Sequence, residues 1–219
     1  MIYDDSPTSD CVWDTYPVVT FAYIISSRYP GAEEMKSKLI RSLAYGLLVS
    51  GLVGCGSSTT ERENLPPLQT VARVDVEQYM GTWYEIASYP QSFQKGCTGT
   101  TATYSLGEDG EVEVVNRCFL ESLQGEEKVS RGRARVLNEA TNAELEVSFF
   151  RPFWGDYWVI ELDEEYRYAA VGHPGRDYLW ILSRTTQMDA STYDRIVARL
   201  REIHRYDPGR LVKTLQPAN

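Results

Sequence analysis

The chain has 219 residues, with 31 acids against 22 bases and a formal net charge of −9. Six of those acids and four of those bases precede Cys55, so the 165 residues from Cys55 onward carry 25 acids and 18 bases, a length that suits one domain with one core. An acidic balance without a basic stripe argues against a nucleic-acid partner. No apolar run after Cys55 is long enough to cross a bilayer as a helix.

Residues 1–34 are rich in Tyr, Pro, Asp and Ser. Next comes a basic cluster, Lys36, Lys38 and Arg41, followed by an apolar run from Leu43 to Val53 that is too short for a comfortable span. It closes on Leu52-Val53-Gly54-Cys55, with small residues just before the cysteine. The pattern resembles the lipobox of bacterial lipoproteins. That resemblance implies that Cys55 is diacylated and becomes the first mature residue, two acyl chains being enough for stable anchoring. Residues 35–54 are then a lipoprotein signal peptide starting at Met35, and 1–34 are expected to be a misassigned N-terminal extension. The competing reading is a real cytoplasmic or tethering extension. Residues 55–70 follow as the lipidated cysteine and a Ser-, Thr- and Pro-bearing linker, ahead of a domain at 71–219.

That domain reads as strand almost throughout. Alternating or β-rich runs occur at 82–90, 98–106, 111–119, 128–137, 143–150, 156–163, 165–172 and 177–184, with turn chemistry between most of them. Short connections make sequential strands antiparallel neighbours. Eight of them suit an all-β, up-and-down antiparallel barrel, whose closure removes exposed edges. Cys97 and Cys118 flank a hairpin turning at Gly107-Glu108-Asp109-Gly110 and fall nearly opposite each other. In an oxidising compartment they are expected to form a disulfide; two free thiols are the alternative. In the fourth and fifth runs, Arg133 and Arg135 are expected to face Glu146 and Glu144 on the outer side of one ladder. One helix follows near Met188, with Tyr193, Ile196, Val197, Leu200 and Ile203 on a single apolar face packed against the barrel's outside. Leu211 to Leu215 could add a short strand.

Gly81-Thr82-Trp83-Tyr84-Glu85-Ile86-Ala87 resembles the first lipocalin motif, Gly-x-Trp. Leu162-Asp163-Glu164-Glu165-Tyr166 looks like a variant of the second, without its threonine, and Ile181-Leu182-Ser183-Arg184 resembles the third. The similarity extends from about Val71 to Pro217. Within lipocalins, the runs Val147 to Phe153 and Tyr178 to Arg184 look like the bacterial subgroup of outer-membrane lipoproteins, related to apolipoprotein D. The resemblance implies structural roles for Gly81, Trp83 and Arg184, with the guanidinium over the indole where the barrel closes.

An eight-stranded barrel holds one small ligand. Period two from Trp83 puts Glu85, Ala87 and Tyr89 inward. Val114 and Asn116, then Ala134, then Val147 and Phe149, then Trp158 and Ile160, and finally Tyr168 continue the expected lining. It is apolar and aromatic with a few polar points, which suits an acyl chain with a hydrogen-bonding head. The resemblance adds a pocket role for the tryptophan at 158. Glu85 is a buried carboxylate that needs a partner or a proton, and its partner is not evident from sequence.

The leading expectation is an outer-membrane lipid-anchored carrier of fatty acids or lysophospholipids, facing the periplasm, for storage, transport or membrane maintenance. Gly56 after Cys55 fits outer-membrane sorting. A second is a structural or partner-docking lipoprotein using Phe93, Phe153 and Trp154 against another protein or a second copy, as a homodimer. Catalysis is disfavoured: His173 and His204 do not point inward by this reading, and no Gly-x-Ser-x-Gly, metal cluster or phosphate loop is present. No cofactor or metal is expected.

Overall fold

Alternating side chains between short turns build nine strands here: β1 Gly81–Ser88, β2 Cys97–Leu106, β3 Val112–Leu120, β4 Glu127–Val136, β5 Glu144–Phe150, β6 Phe153–Leu162, β7 Tyr168–Gly172, β8 Leu179–Ser183 and β9 Val212–Lys213. The computed structural model describes residues 65–107 and 111–218; the expectations for 1–34, 35–54 and Cys55 lie outside them. Among the described residues two α-helices accompany the strands, α1 Val76–Tyr79 and α2 Ala190–Glu202. The sheet order runs from β2 in sequence to β8, then β1 and β9, and β1 also pairs β2. The eight-stranded antiparallel barrel is therefore closed, as expected.

The β1–β2 ladder spans only Gly81 to Tyr84 against Tyr104 to Thr101. Beyond it the C-terminal segment fills the seam. β9 pairs with Ala87 and Ser88, the Gly99 amide donates to the Leu215 carbonyl, and the Gln216 amide donates to the carbonyls of Glu85 and Thr100. The disulfide between Cys97 and Cys118 forms, joining β2 to β3 with their Cα atoms 5.4 Å apart.

The β4–β5 register differs from expectation by two residues. Arg135 pairs Glu146, and Arg133 pairs Ser148. The connecting loop is the reason: Asn138 accepts the Ala140 amide, and Asn142 sits at φ 53°, so the turn is centred later than symmetric counting implies. A two-residue slip preserves the faces. Arg135 and Glu146 still form an outer ion pair at 2.8 Å, while Arg133 turns to Glu111 at 2.9 Å.

Helix α2 starts at Asp189, whose carboxylate accepts the Thr192 amide. It buries Ile196 and Leu200; Ile203, expected on that face, is the exposed C-cap. Two apolar cores result. One, inside the barrel, holds Trp83, Tyr104, Val112, Val114, Ala134, Val159, Ala169, Val171 and Leu182. The other, between α2 and the outer wall, holds Ala87, Tyr89, Ile160, Ala170, Leu179, Ile181, Ile196 and Leu200. Adjacent residues such as Val159 and Ile160, or Ile181 and Leu182, divide between the two, so the strand between them is the partition.

Candidate functional site: the barrel interior and its mouth

Short period-two runs put side chains on one face only while the strand stays regular. β3, β4 and the start of β5 are regular, and they bring Val114, Asn116, Ala134 and Val147 inward as expected: Val114 and Ala134 belong to the inner core with Val147 packed against it, and Asn116 pairs Ala102, which packs there too. Glu85 is also inward, opposite Leu182. Phe149 lies at the rim, 42% exposed, with its ring against Gly132.

Five expected lining residues are elsewhere. A bulge in β1 between Glu85 and Ala87 reverses the phase, so Ala87 and Tyr89 face α2. A second bulge, between Val159 and Glu161 in β6, leaves Ile160 and Glu161 together on the outer side. Ile160 therefore joins the outer core and Trp158 packs against it, while Tyr157 and Val159 take the inner positions. Tyr168 is outside as well, with Arg195 of α2 6.0 Å from its ring. In β7 both faces are apolar and buried, so alternation carries no phase there.

The interior has two polar centres. Near the mouth, the Glu85 carboxylate accepts from Ser88 at 2.9 Å, from the Gln94 amide at 2.8 Å and from the Thr214 hydroxyl. These neutral donors are the partners that a buried carboxylate needs. Gln94 in turn accepts from the Trp180 indole at 3.1 Å. Ser88, Gln94 and Trp180 were missed in sequence; only the β1 bulge brings Ser88 to the inner face. At the other end, Tyr157 meets the hydroxyls of Tyr79 at 2.8 Å and Tyr104 at 2.9 Å. Burial raises the Tyr104 phenol to about 12 and lifts Tyr79 and Tyr157 well above their ordinary value, so all three stay protonated donors.

That end is closed by a compact scaffold. Arg184 places its guanidinium 3.8 Å from the Trp83 ring centroid and donates to the carbonyls of Gln78, Thr82 and Tyr166. The Trp83 indole donates to the Tyr79 carbonyl at 2.9 Å. Gly81 sits at φ 94°, and a Cβ there would lie 3.4 Å from the Arg184 guanidinium. Asp163 accepts the Glu165 and Arg167 amides, and its ion pair with Arg167 at 2.7 Å holds the carboxyl below its usual range. The Tyr166 hydroxyl accepts the Asp75 amide, tying that turn to the start of α1.

A family model for the lipocalin-like domain matches residues 74–216. The chain belongs to the lipocalin family. It is 41% identical over 169 residues to the outer membrane lipoprotein Blc of Escherichia coli K12, covering 77% of this chain and 92% of that protein. It is 37% identical over 136 residues to mouse apolipoprotein D, covering 58% and 68%. Among solved structures, insecticyanin from the tobacco hornworm superposes with a TM-score of 0.55 at 21% identity, covering 68% and 84%, which shows the shared fold. In this lipocalin the open end is aromatic. Phe93 stacks on Tyr178, and Tyr178 on Trp180, a ladder descending from rim to interior. Across the mouth Phe150 and Phe153 stack at 6.2 Å while 75% and 70% exposed. Lipocalins are in general binding and transport proteins.

Proposed function

We propose that this lipocalin is anchored in the bacterial outer membrane through Cys55, faces the periplasm, and carries fatty acids or lysophospholipids for storage, transport or membrane maintenance. The observation that carries the reading is the pairing of an interior lined by small apolar residues with an open aromatic rim. Val114, Ala134 and Val147 line the interior with small apolar side chains, and Glu85, Gln94 and Asn116 supply polar points. Apolar walls with few polar groups suit an amphiphile. The relative named outer membrane lipoprotein supports the location, as does the lipobox-like run ending at Cys55.

The test is a titration with palmitate and lysophosphatidylcholine, following tryptophan emission. Binding is expected at roughly micromolar concentration. Trp180→Phe should cut the emission change and weaken binding. Trp158→Ala should leave the affinity unchanged, because that side chain packs on the outer core. No binding at any chain length, in a folded and oxidised barrel, would sink the carrier reading. It would favour a second one, docking of a partner protein or a second copy through the exposed Phe150–Phe153 stack.

A further inference from the structure

The two ends of the barrel present different surfaces. At the open end, β6 faces β7 only from Trp158, which lies opposite Gly172. The stretch from Trp158 back to Phe153 carries the β5–β6 hairpin about 17 Å past that point, at the usual rise of a strand. On the other side, the ladder between β4 and β5 stops at Arg133 and Ser148, where the two strands part. The hairpin tip carries Phe150 and Phe153, stacked and mostly exposed. Phe93, on the loop after β1, adds a third ring at this end, 55% exposed and stacked on Tyr178. An exposed apolar patch rimmed by polar side chains marks a contact site for protein or membrane. The closed end has the opposite character. Its exposed apolar side chains, Leu106 and Leu137, lie on different turns, and Glu139, Glu164 and Glu165 are exposed there.

The start of the domain is pinned at the open end. Arg176, buried in the β7–β8 turn, donates to the carbonyls of Pro66 at 2.6 Å, Pro174 at 2.9 Å and His204 at 3.2 Å. These charge-assisted hydrogen bonds hold Pro66 to that turn. Ten residues, Gly56 to Leu65, separate Pro66 from Cys55, a stretch that spans at most roughly 40 Å. The tether therefore leaves from the end that carries the phenylalanines, and it is short. The rim's exposed charges are mixed, Lys95, Lys128 and Arg151 against Glu121, Glu126 and Glu127, so its attraction is apolar rather than ionic. The three rings expose on the order of 400 Å². That is well short of the roughly 800 Å² that each partner buries in a stable protein interface, whereas a bilayer surface takes up apolar side chains in any number.

We propose that the open rim docks on the bilayer that holds the anchor, with Phe150, Phe153 and Phe93 in its interfacial layer, so that the mouth opens onto lipid. Arg151 keeps its charge among the headgroups while the rings beside it go deeper. The inference rests on the membrane-anchor part of the reading above. Its test uses the processed, lipidated chain in vesicles of phosphatidylcholine and phosphatidylglycerol. One added cysteine carries an environment-sensitive fluorophore, Phe150→Cys at the rim or Glu164→Cys at the closed end. Acylated Cys55 and the Cys97–Cys118 disulfide leave that thiol free for labelling. The rim label should shift to the blue and be quenched by brominated acyl chains, and the closed-end label should do neither. Both results should hold from low to high salt, because screening acts on charge and not on apolar burial. Adding Phe93→Ser and Phe153→Ser should return the rim label to its signal in water while the protein still floats with the vesicles. All three rings are exposed, so these variants keep their fold. A rim label that stays in water on floating vesicles, or a closed-end label quenched as strongly, overturns the docking and leaves the anchor standing. Protein that does not float overturns both. A blue shift that appears without vesicles and grows with protein concentration assigns the surface to a second copy and overturns the membrane assignment.

Discussion

The wall from β2 to β5 and the wall from β6 round to β1 share one sheet but differ in what lies outside them. On β4, Arg131, Arg133 and Arg135 face water, and Ala134 faces the core. On β7, Ala169 and Ala170 are both fully buried, one in the barrel and one under α2. Polarity therefore reports the inner face on the first wall and nothing on the second. The second wall also carries the bulges in β1 and β6. It serves as a platform for the helix on one side and a lining on the other, and its side chains are easily assigned to the wrong one.

Trp83→Ala tests the inner core most severely. It removes a fully buried indole, the Arg184 contact and the hydrogen bond to Tyr79, and should cost about 4 kcal/mol in denaturant unfolding. Leu200→Ala should cost about 3 kcal/mol through the outer core, yet leave lipid affinity in place, since α2 contributes nothing to the interior. A loss of binding in that variant would break the separation of the two faces.

The smallest effect is a pH dependence at the α2 interface. Glu161 accepts from Arg199 and His204, each at 2.7 Å. Burial alone raises its carboxyl, but the His204 and Arg199 hydrogen bonds outweigh that and hold it below 4.5. A depressed carboxylate contributes stability that is full above the ordinary carboxylate range and is lost as pH falls through its folded value. The stability gap between the native chain and Glu161→Gln should thus be present at neutral pH and shrink below about pH 4.5. A gap that is constant with pH would show that the pair adds nothing ionic.

The fold was legible because its signals are local. Turn residues at short intervals and alternation between them are enough to imply eight antiparallel strands, and Gly81, Trp83 and Arg184 mark the closed end. The lining was legible on β3 and β4, where charged and apolar faces alternate. It failed at Ala87, Tyr89, Trp158, Ile160 and Tyr168, because a bulge is chosen by cross-strand pairing and a helix cover is chosen by distant sequence. The partners of Glu85 make the same point: Ser88 and Gln94 are near it, but Thr214 comes from the other end of the domain.

Sequence by itself determined the family, the eight strands of the barrel and the helix that packs outside, and pointed to the disulfide pair, since each rests on residue types at short or fixed spacing. Only the tertiary structure decided which side of the second wall each residue serves, how the C-terminal segment seals the seam, and where β4 and β5 part. Those depend on one-residue shifts in hydrogen-bond register, and such a shift moves a side chain through the sheet without changing the sequence pattern around it.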